Sequence, residues 1–359
     1  MSFTDTLLLW FREHGRELPW RGTLDPYAIW LSEIILQQTR IEQGRPYWER
    51  FMSRWPTVAD LAAATEDDVL REWQGLGYYS RARNLHAAAR QIVALGSFPT
   101  TLEGIKALKG VGDYTAAAIG SIAFGLPAAV VDGNVYRVLS RHYGIRTPIN
   151  TTEGKKEFAL LAQSLLPTSQ GDSPLVRCGE FNQAMMDFGA IQCTPQNPLC
   201  HECPLAESCV ALREGCISEL PVKQKTLQVK ERHLTYIYIR CHGETAIRRR
   251  PAGDIWQGLY EPLLIEHEAS KALVENVQCS MFNVQYSMFN VQCSMDNCQL
   301  IAKQVKHVLT HRVLYADFLL WEPTEKPALP EGYFWIREED IDNYAVPRLV
   351  ERLLEKLFA

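Results

Sequence analysis

Residues Leu108 to Gly125 read LKGVGDYTAAAIGSIAFG. An apolar helix end runs into Gly110-Val111-Gly112, and a second helix starts at once. The segment is therefore a tight hairpin between two helices. Its glycines let the chain turn and leave room for a phosphate to approach. The free amides at the second helix's N-terminus can hold that phosphate without a positive side chain. Taken alone, Gly-x-Gly is a weak signal, because an ordinary helical hairpin carries the same letters. Two stretches further along the chain give it weight: VVDGNVYRVLSR at 130–141, then CTPQNPLCHECPLAESC at 193–209. The second stretch holds four cysteines, separated by six, two and five residues.

Working outward, 359 residues with 47% apolar content can bury a real core and fit two domains. The net charge of −5 argues weakly against a nucleic-acid partner. Any DNA binding must then come from local placement of charge and from backbone amides. No apolar run is long enough to span a membrane. The N-terminal apolar stretch, Leu7 to Phe11, is too short for a signal peptide and is followed at once by Arg12 and Glu13. It reads as an amphipathic helix capped by Thr4 or Asp5. A cytoplasmic location is expected, where thiols stay reduced and ten cysteines mean metal ligands or free thiols. Cys178, Cys216 and Cys241 stand apart and are expected to be free and buried.

Residues 1–212 are helical almost throughout, with apolar positions recurring at three and four. Thr57 and Thr100 or Thr101 are expected helix caps. Residues 213–232 are polar and mildly basic and read as a linker. Residues 233–359 carry strand-like runs, LTYIYIRC, GLYEPLLIE, RVLYADFLLWEP and GYFWI, with helical stretches near 268–276 and 346–358. That makes an α+β domain. Within it, residues 277–297 repeat a seven-residue unit three times. The unit lacks the charge pairs of a coiled coil, and we read it as a slipped duplication tolerated in a surface loop.

Four clustered thiolates hold Zn²⁺ or a [4Fe–4S] cluster, and spacing does not separate the two. Glu33 lies in WLSEIILQQT at 30–39, a charge within an apolar helix segment. Most glutamates on helices are simply solvated, but these neighbours allow partial burial and a raised pKa. Asp132 precedes Gly133-Asn134 and reads as the N-cap of a helix starting near Val135.

The chain resembles the helix-hairpin-helix DNA glycosylases with an iron–sulfur cluster, and within them the adenine DNA glycosylases of the MutY type. The residues that carry the resemblance are LPWR at 18–21, DPYAIWLSEIILQQTR at 25–40, GLGYYSRARNL at 75–85, the hairpin, VVDGNVYRV at 130–138, FNQAMMDFGA at 181–190 and the four cysteines. The resemblance implies a mainly α catalytic domain with an iron–sulfur module, followed by an α+β Nudix-like domain. It implies that Cys193, Cys200, Cys203 and Cys209 hold a [4Fe–4S] cluster. It makes Glu33 the acid on adenine N7 and Asp132 the anion facing an oxocarbenium ion, with Asn134 orienting Asp132. Removing a base needs both, since negative charge develops on the leaving base and positive charge on the sugar. The base must also leave the stack.

Tyr114 stands where lyases of the superfamily carry a Schiff-base lysine, so the strong lyase reaction should be missing. Gln38 and Tyr78 match residues that wedge into the duplex, and Trp20, Arg21 and Gln183 match the adenine pocket. Gly110 and Gly112 match the phosphate-binding hairpin, where Lys109 replaces the usual proline. The loop TPQNPL carries no basic residue, unlike most of the family. RRRPAGDIWQGLYEPLL at 248–264 resembles the family's Nudix-like domain. No run of glutamates forms a Nudix metal box, so nucleotide hydrolysis is not expected. Thr310 and His311 match the family's lesion-recognition loop, with Leu309 in place of the family's aromatic.

The expected partner is double-stranded DNA holding A:8-oxoguanine or A:G mispairs, bound by a monomer and away from membranes. The competing classes are a related glycosylase acting on thymine mismatches or oxidised pyrimidines, and a non-catalytic iron–sulfur DNA-binding protein.

Overall fold

The computed structural model describes residues 1–167, 174–224, 230–267 and 298–358. The helices in chain order are α1 Phe3–His14, α2 Pro26–Leu36, α3 Ile41–Arg54, α4 Val58–Ala63, α5 Glu66–Glu72, α6 Ser80–Leu95, α7 Leu102–Lys106, α8 Asp113–Phe124, α9 Gly133–Tyr143, α10 Thr152–Ser164, α11 Pro174–Asp187 and α12 Val210–Arg213. The strands are β1 Lys230–Cys241, β2 Glu244–Arg249, β3 Tyr260–Glu261, β4 Leu263–His267, β5 Cys298–Leu309, β6 Arg312–Trp321 and β7 Tyr333–Arg337, and α13 Arg348–Leu357 comes last. The helical stretch near 268–276 and the repeat at 277–297 lie outside the described residues. Among those described, no helix is long and apolar enough to cross a membrane.

Contacts divide the chain into two compact units. The first joins Met1–Ala64 to Asn84–Lys225, and the second joins Thr65–Arg83 to Thr226–Ala359. Residues 65–83 thus pack with the C-terminal sheet, although their helical pattern blends with that of 1–212. The ties are polar and invisible to periodicity. Arg249 bonds Glu66 and Asp67, each at 2.9 Å, and the Tyr260 hydroxyl donates to Asp67 at 3.0 Å.

In the first unit, Ser2 rather than Thr4 or Asp5 caps α1. Its hydroxyl accepts from the Asp5 amide at 3.1 Å, while Thr4 lies within the first turn and donates to the Leu165 carbonyl. Thr57 closes a reciprocal capping box with Asp60, and Thr101 caps α7. The core gathers Leu7 and Trp10 of α1, Ala118 of α8, Val135 and Leu139 of α9, Phe158 of α10 and Phe181 of α11. Truncating Phe181 to alanine would cost about 3–5 kcal/mol. Small residues let the central helices close in. A Cβ on Gly179 of α11 would meet the Ser121 carbonyl oxygen of α8 at 2.8 Å. α2 buries eight of its eleven residues, which is why a charge on it is costly.

The segment after Arg213 is not the free linker its composition suggests. Cys216 and Leu220 are buried with Ala211, and Arg141 donates to the Ile217 and Leu220 carbonyls at 3.1 and 3.2 Å. Polar residues outline the turn, but two apolar anchors pin it. Cys178, Cys216 and Cys241 are free and buried.

The second unit is built on one sheet. β1 pairs in parallel with β6, β5 flanks β6 antiparallel, and β4 and β2 pair with β1. β3 and β7 both pair with β2. Leu234, Tyr236 and Tyr238 face α13, whose Leu349, Val350 and Leu353 are buried against them. Ile237 and Ile239 point to the other face. Sequence patterning misses β2 and β5. β5 is an edge strand with Lys and Gln on its open face, and it is bulged near Ala302 to Val305, with Gln304 at φ 52°. Charge and a bulge are how edges resist further pairing, and both erase the apolar alternation.

Candidate active site

One cavity of about 370 Å³ in the first unit gathers Trp20, Arg21, Glu33, Tyr114, Asp132, Asn134 and Gln183. Seven residues nominated across some 160 positions of sequence thus share one space. Trp20 is both pocket wall and core, only 7% exposed and edge-on to Trp48.

Glu33 projects from α2 into this cavity. It is half-buried there, with part of its surface open to the cavity. Burial pushes its carboxyl up from 4.5 to about 7; a Tyr114 hydrogen bond and Arg21 oppose the rise, and the Asp132 charge adds to it. Burial also raises the Tyr114 phenol well above its ordinary value. That hydroxyl also donates to the Met186 sulfur at 3.3 Å.

Asp132 caps α9, as its place before Gly133-Asn134 suggests. Its Oδ1 accepts from the Asn134 and Val135 amides at 2.9 and 2.8 Å, and Oδ2 accepts from the Asn134 side chain at 2.8 Å. Burial raises this carboxyl too, but those three donors and Arg137 pull it back. So the cavity holds two carboxyls with different surroundings: Glu33 short of hydrogen-bond donors, Asp132 well supplied. Such a pair divides into an acid and a standing anion.

Sequence reading missed Arg16, Arg137, Met186 and Asp187. Asp187 carried a signal, a lone acid ending the apolar run in FNQAMMDFGA. Arg137 is buried and donates to the Asn134 side chain at 2.8 Å, the Gly133 carbonyl at 3.3 Å and the Cys193 carbonyl at 2.7 Å. It ties the Asp132 turn to the entry of the cysteine segment.

Beyond the cavity, Gly110 has φ 79°, and a Cβ there would meet the Asn84 side chain at 2.6 Å, so glycine is required twice over. Gly112 begins α8 with no side-chain cap and with open space around it. Its turn therefore leaves the first amides of α8 free for an anion. The Lys109 amide is held by Gln91 at 2.7 Å. Gln38, exposed at the end of α2, and Tyr78 are non-glycine residues in left-handed backbone, at φ 58° and 47°. Each strained position costs on the order of 1 kcal/mol and marks a constrained side chain.

In the second unit, Thr310 and His311 form the tight turn between β5 and β6 and are exposed. The Thr310 hydroxyl is hydrogen-bonded to the Tyr78 hydroxyl. Two residues nominated for different duties therefore touch.

Cys193, Cys200, Cys203 and Cys209 line a single small cavity. Arg141 closes one side, with Nη1 at 3.4 Å from the Cys193 sulfur and 2.7 Å from the Thr194 carbonyl. Burial, with the neighbouring thiolates adding to it, raises the Cys203 thiol to about 11. Among the described residues no three ligands converge as a single ion needs. A ring of four thiols around a space suits a cubane, with one thiolate per iron.

Family models match at three places: a base excision DNA repair protein of the HhH-GPD superfamily over residues 31–164, the iron–sulfur binding domain of endonuclease III over 193–209, and a NUDIX domain over 235–356. Fold, cavity and cysteine ring together define an iron–sulfur base-excision DNA glycosylase with a Nudix-like domain, and its cofactor is a [4Fe–4S] cluster. The chain is 36% identical over 261 residues to the adenine DNA glycosylase of Buchnera aphidicola subsp. Schizaphis graminum, covering 72% of this chain and 73% of that protein. It is 43% identical over 221 residues to the adenine DNA glycosylase of Homo sapiens, covering 58% of this chain and 39% of the human protein. A thermostable thymine-DNA glycosylase structure aligns at TM-score 0.53 and 31% identity, covering 59% of this chain and 95% of that one. A trapped endonuclease III–DNA covalent intermediate shares the fold at TM-score 0.50 and 23% identity. The chain belongs to the adenine DNA glycosylase family.

Proposed function

We propose that this enzyme hydrolyses the C1′–N9 bond of adenine mispaired with 8-oxoguanine or guanine, leaving an abasic site and free adenine. What carries the reading is the pairing of Glu33 and Asp132 across one cavity. The flipped adenine enters between Trp20, Arg21 and Gln183. Glu33, still protonated near neutral pH, gives its proton to the base as the bond breaks. The Asp132 carboxylate, held by Asn134 and the first amides of α9, faces the positive sugar. Glu33, now ionised, takes a proton from the water that adds to C1′. Atoms balance: water supplies OH to the sugar and, through Glu33, H to adenine.

Tyr114 is a phenol and cannot form an imine, so the enzyme is monofunctional. Cys193, Cys200, Cys203 and Cys209 would hold the cluster, which supplies a structural pin for the 193–209 loop. Free amides at α8 bind backbone phosphate, which reconciles DNA binding with a net charge of −5. Gln38 of the first unit wedges into the duplex, Tyr78 of the second does likewise, and Thr310 and His311 read the opposite base.

The test is base release from A:8-oxoguanine, A:G, A:C and T:G duplexes by the cluster-loaded protein. Adenine should leave the first two fastest. The likeness to a thymine-DNA glycosylase favours a second reading, mismatch thymine removal. Release of thymine from T:G without release of adenine would assign that activity and overturn ours.

A further inference from the structure

Asp187 is fully buried at the end of α11, and both its oxygens are filled. Arg21 grips it with two bonds, Nη1 to Oδ2 at 2.7 Å and Nη2 to Oδ1 at 2.8 Å. Arg16 gives its amide to Oδ2 at 2.9 Å, its Nε to Oδ1 at 2.9 Å, and a further bond from Nη2. Arg21 also donates to the Arg16 carbonyl at 2.7 Å and lies over the Phe11 ring at 5.3 Å. One aspartate thus fixes two guanidinium groups in the wall of the cavity that holds Glu33.

The position of Arg21 matters because of what else faces Glu33. Tyr114 comes from α8, Asp132 from the turn before α9, and Arg21 from the turn at Pro19–Arg21. Arg16, Arg40 and Glu42 complete the charged lining. A cation released beside a desolvated carboxylate pairs with it and favours its ionised form, typically by one to three pH units (roughly). An ionised Glu33 has no proton to give.

We propose that Asp187 is a positioning residue of the acid site: by clamping Arg21, and with it Arg16, it keeps a guanidinium from capturing Glu33 as an ion pair. The proposal rests on the reading of Glu33 as the acid. Burial alone would raise the Asp187 carboxyl, but the bonds from Arg21 and Arg16 hold it below its ordinary range. The clamp is therefore a standing anion wherever the enzyme works. It spends one carboxylate, unavailable to substrate, to keep another one neutral.

The experiment reads the titration of Glu33 itself, so that it does not depend on whether Glu33 is the acid. Carboxyl-labelled glutamate in cluster-loaded protein is followed by NMR against pH, with Glu33→Gln assigning the signal. Asp187→Asn should move the Glu33 midpoint down by about one pH unit or more. The alkaline limb of single-turnover adenine release should move with it. Asp187→Asn combined with Arg21→Gln should bring the midpoint back near the parent's, since the capturing cation is gone. An unmoved midpoint in folded Asp187→Asn overturns the proposal, and so does a shift that persists in the double variant. Should Asp187→Asn fail to fold, Arg16→Met decides. It leaves Arg21 clamped, so the midpoint must stay at or above the parent's, and a fall overturns the idea. If Glu33→Gln proves active while the clamp variants titrate as expected, the reading of Glu33 as acid has failed and the clamp has not.

Discussion

The cavity of the first unit and the β5–β6 turn of the second solve opposite problems. In the cavity, burial desolvates both Glu33 and Asp132, and Asp132 alone takes three hydrogen bonds. At the turn, Thr310 and His311 stand in water, and the contact that braces Thr310 is one hydroxyl of Tyr78. Chemistry needs a proton held at an unnatural pKa, which only burial supplies. Reading a base needs reach and replaceable contacts, each worth about 1 kcal/mol. Substitutions in the cavity should therefore abolish turnover, while those at the turn should only tilt preference.

The largest effect should come from loss of the acid. Glu33→Gln keeps shape but has no acidic proton, and single-turnover adenine release should fall by at least roughly 10²-fold. Binding of the A:8-oxoguanine duplex should survive. Near-parental cleavage would mean that another group supplies the proton. The same variant tests the cost of the site. A carboxyl raised on folding is carried without penalty below its unfolded pKa, and the fold loses stability as pH rises towards and through the raised value. Glu33→Gln should thus be more stable than the parent above pH 7, by at most about 3.5 kcal/mol, counting roughly 1.4 kcal/mol for each unit between 4.5 and about 7. The gap should close near pH 4.5, which urea titrations at several pH values would measure. Parental release of adenine should decline above pH 7, as Glu33 ionises. A rate still rising at pH 9 would break the assignment.

Next comes the cysteine ring. Anaerobically purified protein should be brown, with about four iron and four sulfide per chain. Stoichiometric zinc without sulfide would put a single ion where we place a cluster. Arg137 connects this segment to the Asp132 turn, so Arg137→Met, which keeps bulk but not bonds, should lower adenine release without displacing iron. Removing a buried arginine that donates to three carbonyls and one side-chain amide leaves unpaired groups behind, at about 1–3 kcal/mol each. Loss of iron in step with loss of rate would make Arg137 part of the cluster's own support.

Much of the catalytic unit was legible because its chemistry sits in local words. Glu33 is conspicuous as a charge inside an apolar helix, Asp132 as a cap before Gly-Asn, and the cysteines by spacing. What escaped was long-range pairing. Nothing within ten residues of Asp187 announces Arg16 or Arg21, more than 160 positions away. Residues 65–83 read as more helix of the first unit because ties such as Arg249 to Glu66 and Asp67 leave no mark on hydrophobic periodicity. The cap of α1 fell on Ser2 because three short polar residues compete there, and only packing of Thr4 on Leu165 breaks the tie. β5 was lost to the charges and bulge that protect an edge.

The smallest effect tests whether the turn is as loosely built as its contrast with the cavity requires. Tyr78 stands in left-handed backbone at φ 47°, and its hydroxyl meets that of Thr310. Neither group is buried, so water can replace the other when one is removed. Thr310→Ala should lower preference for A:8-oxoguanine over A:G by no more than about tenfold, the worth of one hydrogen bond. Tyr78→Phe keeps the ring and its strain and should do less. If the hydroxyls act as a pair, the double variant should be little worse than Thr310→Ala alone, with a coupling of about 0.5–1 kcal/mol. Strict additivity would mean that the two touch without cooperating. A collapse in the rate on A:G, which lacks the oxidised base, would carry the turn across the divide and make it part of the chemistry.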